Sequence, residues 1–433
     1  MTEPWSSAQV AAAAPDAASL SAARGLATKW TDTGRTDTAL WGSCGGSGKN
    51  PYLAAVDLTG PAYRCSCPSR KFPCKHAVSL LLRWSDGAVP AADAPGFVTD
   101  WLATREARAA ATSTASAQAA PAESTPDPAS TERRLERISA GLDELDRWLT
   151  DRIVAGLGSV AHDTAAYDAI AARMVDAQAP GVAASLRALP ALVATDPDWP
   201  APLLAAYGRL HLLIRAFRDR DRLPEPLNRS VQTHLGIPVR ADEVRAQPAV
   251  RDRWQVLAVR AAEEGRLVAR RTWLRGRDSG RWALLLDFAH GSAQFSTAAK
   301  IPGTIVDADV HYYPGAAPLR AHLGTQHCAP EPFTTLPGAT DPAAALDGYT
   351  AALAGDPWIR SWPMLLADVA PTVTAGTWHV VDRAGRALPV GDDTARWQLL
   401  AVSGGHPVTV CGDWDGTALQ PASVFDAGTV ISL

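Results

Sequence analysis

The sequence predicts an α+β chain of several domains: a small N-terminal module marked by clustered cysteines, a helical bundle, and a mostly-β C-terminal domain. Three observations carry this reading. The chain has 433 residues, which at ~150 residues per domain suggests roughly three domains. Residues 109–130 (AAATSTASAQAAPAESTPDPAS) hold no large apolar side chain and three prolines, so they bury almost nothing and read as a flexible linker. Beyond them, apolar residues recur at steps of three and four. From about residue 250 short β-branched and aromatic runs replace that pattern. The expected domains are therefore 1–108, 131–236 and 237–433.

Within the first module, Asp16 and Gly25 bracket a short helix as N-cap and C-cap. Strands are expected at 38–44, 52–58 and 61–67, broken by Gly, Ser, Asn and the Thr59-Gly60-Pro61 turn. A helix follows from about Pro73 to Trp84, and another from Gly96 to Ala109. In the second domain Leu135, Ile138, Leu142, Leu145, Leu149 and Ile153 form one apolar stripe; Leu203, Tyr207, Leu210, Ile214 and Phe217 form another, behind Pro202. In the third, strand-like runs occupy 254–260, 266–274, 282–288, 304–312, 377–382, 396–402 and 407–411, with a helix at Asp341–Ala354. Sandwich and barrel remain equally open for that block.

Composition narrows the function. Lys plus Arg number 41 against 45 Asp plus Glu, a formal charge of −4, which argues against a chain coated in positive charge for wrapping nucleic acid. Any basic surface is local. The N-terminus lacks a basic leader region, and no run reaches the ~18 apolar residues of a membrane span. A cytoplasmic protein is expected, and there clustered cysteines suggest a metal before a disulfide. The excess of Arg over Lys and the abundant alanine point to a GC-rich bacterial genome.

The informative stretch is Tyr63–Trp84, YRCSCPSRKFPCKHAVSLLLRW. Cys65 and Cys67 form a Cys-x-Cys pair; after six intervening residues come Cys74 and His76. Three thiolates and an imidazole complete a tetrahedral set for Zn²⁺. Residues two apart on a strand share a face, so Cys65 and Cys67 can both turn inward. Pro73 opens a helix whose first turn presents the other two ligands. Soft thiolates select zinc over Mg²⁺ or Ca²⁺, and four protein ligands leave no position for a catalytic water, so one structural zinc is expected. The bland alternative for the same residues is a few buried thiols beside a core histidine.

Cys-x-Cys followed by Cys-x-His after a short β segment and at the opening of a helix resembles the SWIM-type zinc finger. The resemblance implies a ββα fold with Cys65, Cys67, Cys74 and His76 as zinc ligands, and modules of this family are proposed to bind DNA or proteins. The upstream LWGSCGGSGKNPYLAAVDLTGPAYRC looks like the stand-alone bacterial members. Those are often encoded near MoxR-type ATPases and von Willebrand A proteins, which implies a multi-protein partner system.

Thr59 to Trp84 contains no acid but carries Arg64, Arg70, Lys71, Lys75 and Arg83. Arg64, Arg70, Lys71 and Lys75 are candidate contacts to phosphates or an acidic protein face, with Phe72 as a stacking surface. The alternative is that Phe72 packs beneath the metal and the cations screen the thiolates. Other signals are weak. Gly42–Lys49 lacks the glycine and the Ser/Thr a phosphate loop needs; Cys44 reads as a strand thiol. His322, His327 and Cys328 match no metal spacing, and Asp413-Trp414-Asp415-Gly416 reads as a hairpin turn. No nucleophile or dinucleotide motif is present. The 15 tryptophans, eight of them after residue 250, are expected mainly in cores. The favoured function is a non-enzymatic zinc-binding adaptor for protein partners. Direct DNA or RNA binding through the basic loop ranks second, and an enzyme with its site in the C-terminal β region third.

Overall fold

The computed structural model describes every residue except 1–3, 6, 16, 47–49, 59–61, 70–72, 106–127, 160–162, 196–197, 265–266, 291–294, 296, 298 and 392–393. The chain is α+β, as expected from its periodicities. Asp16, most of the linker (109–127), and Arg70, Lys71 and Phe72 lie outside the described residues.

The N-terminal module opens with helices α1 (Ser7–Ala13) and α2 (Ala17–Arg24). An antiparallel sheet follows in the order β1 (Trp30–Arg35), β2 (Ala39–Cys44), β3 (Tyr52–Asp57), β4 (Ala62–Cys65). Helix α3 (Lys75–Ser85) packs on one face and helix α4 (96–105) on the other. The strand alternation dictates this layering. On β2, Leu40 and Cys44 join the α3 core, while Ala39 and Trp41 meet Val98 of α4. The ββα unit is β3, β4 and α3; β1 and β2 extend its sheet by two strands. Strand β1 was not expected from the sequence. Its Trp30 indole donates to the Ser79 hydroxyl at 3.0 Å, tying the sheet edge to α3.

Helices α5 (Pro128–Ala155), α6 (Thr164–Asp176), α7 (Pro180–Thr195), α8 (Pro200–Arg218) and α9 (Glu225–Leu235) form the helical domain. Pro128–Ser130, assigned to the linker above, are the first residues of α5. Both expected stripes face its core, except that Ile153 is 49% exposed. The Tyr167 and Tyr207 hydroxyls share a buried hydrogen bond of 2.7 Å.

On the rim of this domain Asp146 accepts from Arg218 at 2.9 Å and contacts His211 Nδ1 at 2.7 Å. Burial alone would raise its carboxyl; Arg218 and His211 outweigh that and hold it below its ordinary range. A depressed carboxylate stabilises the fold above its unfolded pKa of ~3.9 and loses that contribution as pH falls through the folded value. Asp146→Asn should therefore cost about 1 kcal/mol or less at neutral pH. In urea titrations its difference from the parent protein should shrink as pH falls through that depressed folded value; a difference that persists once the carboxyl is protonated would be contacts other than charge.

After the short helix α10 (Ala241–Arg245), strands β5 (Val250–Glu264), β6 (Leu267–Gly276), β7 (Trp282–His290), β8 (Thr304–Tyr312) and β9 (Arg320–Gln326) form a sheet that closes on itself. β9 pairs in parallel with β7 and antiparallel with β8, and the two-residue β10 (Glu331–Pro332) lies at the edge of β8. The choice between sandwich and barrel is thus resolved as a small barrel, filled by Trp254, Val256, Leu274, Val306 and Val310. Helix α11 (Pro342–Gly355) leads to a second, open sheet. It contains β11 (Trp362–Thr374), β12 (Thr377–Val381), β13 (Ala387–Pro389), β14 (Val408–Trp414), β15 (Leu419–Asp426) and β16 (Thr429–Ser432) in the order β13-β12-β11-β14-β15-β16. Residues 396–402, read above as a strand, belong instead to helix α12 (Ala395–Ser403). Trp273 and Leu257 of the barrel meet Leu365 and Cys411 of this sheet in a shared core. Most tryptophans after residue 250 are buried as expected, whereas Trp397 is 56% exposed.

The first module does not stand apart. The Gln9 side chain donates to the Gly303 carbonyl at 3.2 Å, and Ile301 joins the core of Trp5, Leu80 and Trp84. None of the described helices is long and apolar enough to cross a membrane.

Candidate metal centre

Cys65 is the last residue of β4, and Cys67 sits in the bend that follows. Cys74 is the N-cap of α3, with extended backbone angles (φ −73°, ψ 163°), and His76 lies in the first helical turn. α3 forms there because its apolar residues fall on one face: Ala77, Val78, Leu80, Leu81 and Trp84 are all buried against the sheet. At roughly 1.5–3 kcal/mol per large apolar side chain, this burial fixes the helix against β2 and β3 and thereby fixes its N-terminus beside β4. Gly87, with φ +70°, adopts the left-handed conformation just after the helix ends.

The four side chains converge. Their ligand atoms all lie within 4.8 Å of one another. His76 Nδ1 is 3.7 Å from Cys65 Sγ and 3.9 Å from Cys74 Sγ. A tetrahedral ion with bonds of about 2.3 Å to sulfur and 2.0 Å to nitrogen holds such a pair about 3.5 Å apart. The donor set and spacing fit zinc. Cys74 and His76 are buried, and the His76 ring packs on Tyr52 with centroids 4.9 Å apart.

Electrostatics favour a cation at this point. The hydrogen bond from Cys65 lowers the Cys74 thiol to about 4, helped by His76, and that same contact raises Cys65. Burial raises Cys67. Three sulfurs crowded together cannot all ionise unless positive charge sits between them, which a divalent ion supplies. The amides opening α3 add a smaller attraction for the Cys74 thiolate.

Comparison with known families agrees with this geometry. The SWIM zinc finger model matches residues 56–85, spanning β4, the ligand loop and α3. The chain contains a SWIM-type zinc finger. The model for the SWIM-associated four-helix bundle domain matches residues 133–235, the α5–α9 region. No curated protein and no solved structure matches the chain.

Around the SWIM finger, the candidate partner residues separate. Arg64 is exposed, but its guanidinium donates to the Phe97 carbonyl at 3.2 Å and so ties β4 to α4. Lys75 is exposed beside the ligands. Cys44 is buried in β2 and is not among the four clustered donors.

The sequence alone missed a groove against the metal centre. Lys29, Lys75, Tyr52, Pro68 and Ser69 line a 680 Å³ cavity that also reaches Cys67 and His76. Lys29 precedes β1, and nothing in its local sequence signals that the chain folds it back next to Lys75. His322, His327 and Cys328 do not assemble: His322 accepts from Arg245 at 3.2 Å, and His327 pairs with Asp309 at 3.1 Å. Asp415 caps the Thr417 and Ala418 amides, at 2.8 Å each, in the expected β14–β15 hairpin.

Proposed function

We propose that the protein is a non-enzymatic, cytoplasmic adaptor whose zinc-stabilised SWIM finger binds an acidic protein segment. One observation carries this reading: the groove beside the metal centre is lined by Lys29 and Lys75, and no carboxylate among the described residues lines it. Tyr52 and Pro68 add apolar surface to the same lining. Lysines there would attract a negative segment and screen the site against basic partners. A zinc bound by four protein ligands has no open position for substrate, so its role is to hold this groove in shape. We assign the partner, by the family resemblance, to a MoxR-type ATPase and von Willebrand A assembly.

The test is affinity capture with a Lys29→Glu, Lys75→Glu variant, which leaves the zinc ligands intact. Loss of the captured partner with zinc content unchanged is the expected result; undiminished capture would move binding to another domain. The same two lysines also support the second reading, nucleic-acid binding. In that case retention of DNA or RNA on a filter falls with salt by about 0.7–0.9 log units per log unit for each phosphate contacted. No retention at low salt removes that reading.

A further inference from the structure

The helical domain holds a cavity of its own, remote in sequence from the finger. It lies between α7 and α8 and has a volume of 190 Å³. Leu189 and Leu192 of α7 and Leu210 and Leu213 of α8 supply apolar wall. Trp358, from the segment between α11 and β11, also lines it; its indole donates to the Arg209 carbonyl at 3.1 Å and fixes that segment on the bundle.

The polar lining is cationic. Arg209 of α8 and Arg360 reach the same cavity, with Ser185 and His234. Arg360 donates to the Ser185 hydroxyl. Loss of hydration, and then the charge of Arg209, both disfavour its protonated form. Neither guanidinium forms an ion pair with a carboxylate among the described residues. Asp356, the acid on the same segment, does not line the cavity. It is engaged by His234 at 3.2 Å and by the Trp358 amide at 3.1 Å. Both arginines are exposed as whole residues, so water screens them in part, and an anion seated between the two like charges would relieve what repulsion remains.

We propose that this cavity binds a small aliphatic monocarboxylate, its tail among the four leucines and its head between Arg209 and Arg360. Guanidinium matches a carboxylate in bidentate geometry. A singly charged head costs less to dehydrate than a phosphate dianion, which suits a site walled by leucine. The volume accommodates about six groups the size of a water or methylene, which sets the tail at medium-chain length. This site is independent of the finger and its groove.

Calorimetry on the full-length, zinc-loaded protein tests it, with octanoate as the probe and 1-octanol as the neutral control. Octanoate should bind one per chain, and octanol at least tenfold more weakly. Arg360→Gln and Arg209→Gln should each weaken octanoate about tenfold, which is 1.4 kcal/mol. Leu192→Trp, which fills the chamber, should abolish binding with the helical circular dichroism unchanged. Should Leu192→Trp fold poorly, the two arginine variants decide. Equal binding of octanol, octanoate affinity indifferent to both arginines, or no binding at millimolar octanoate would each overturn the proposal.

Discussion

Stripping zinc with a high-affinity chelator, or replacing Cys74 with serine, is expected to abolish amide protection across β3, β4 and α3 while α5–α9 keep theirs. The reason is one of scale. Structural zinc contributes on the order of 10–16 kcal/mol in finger peptides, as much as the whole stability of a small domain. The ligand loop has little else to hold it, because Cys65 and Cys67 are only half-buried and β4 is four residues long. The helical domain has a separate core, built from α5–α9 with Trp358, and among the described residues it shares no buried side chain with the finger. The barrel stands between these extremes. Through Gln9 and Ile301 it touches the module, so loss of protection should extend to the residues around Gly303 and no further into the strands. Hydrogen exchange with and without chelator reads all three regions in one experiment. Cys44→Ser is the control: Cys44 is buried in the same core but outside the ligand cluster, so one zinc per chain should remain by elemental analysis. Equal protection with and without metal would make the ion dispensable.

The metal centre was legible in the sequence because its chemistry is local. Twelve consecutive residues, Cys65 to His76, hold all four ligands, and the strand–turn–helix that presents them follows from the same stretch. The helical domain was legible for a similar reason, since a stripe at helical spacing declares its buried face. What escaped was non-local or lacked periodicity. Strand β1, WTDTGR, buries only Trp30 and Gly34 and shows no apolar alternation; its pairing with β2 makes it a strand. Residues 396–402 passed for a strand on their apolar content. Ala395, Leu399 and Ser403 are the buried positions, four apart, and that period belongs to a helix. Barrel closure depends on β9, RAHLGTQ, whose pairing with both β7 and β8 no local pattern announces. The bond from Arg64, a candidate partner contact, to the distant Phe97 carbonyl has no local signature either. The groove formed by Lys29 and Lys75 exists only once β1 lies beside β2.

The barrel supplies the second large effect, and with it a way to weigh the enzymatic alternative. Arg270 of β6 has a side chain only 7% exposed. It donates to Asp287 of β7 at 3.2 and 2.8 Å, and to the carbonyl and hydroxyl of Thr297 at 2.9 and 2.6 Å. Thr297 in turn donates to the other Asp287 oxygen at 2.7 Å. Asp287→Ala should destabilise the barrel by about 3–5 kcal/mol, because it takes the Asp287 charge away from a buried guanidinium. The paired change Arg270→Met, Asp287→Leu should recover most of that loss, since an apolar pair of similar volume removes both charges together. Protection of the β6 and β7 amides in native-state exchange measures each. These expectations bear on function because Asp287 also lines a 230 Å³ cavity with Lys300 and His322, a polar constellation of the kind an active site needs. A general base needs a lone pair free to take a proton in a plausible substrate pose. Here Arg270 donates twice to one Asp287 oxygen and Thr297 once to the other, so three of about four lone pairs are engaged and the carboxylate is committed first to holding β6 on β7. If Asp287→Ala left the barrel's protection unchanged, that commitment would be false, and the cavity at Lys300 would become the first place to look for chemistry.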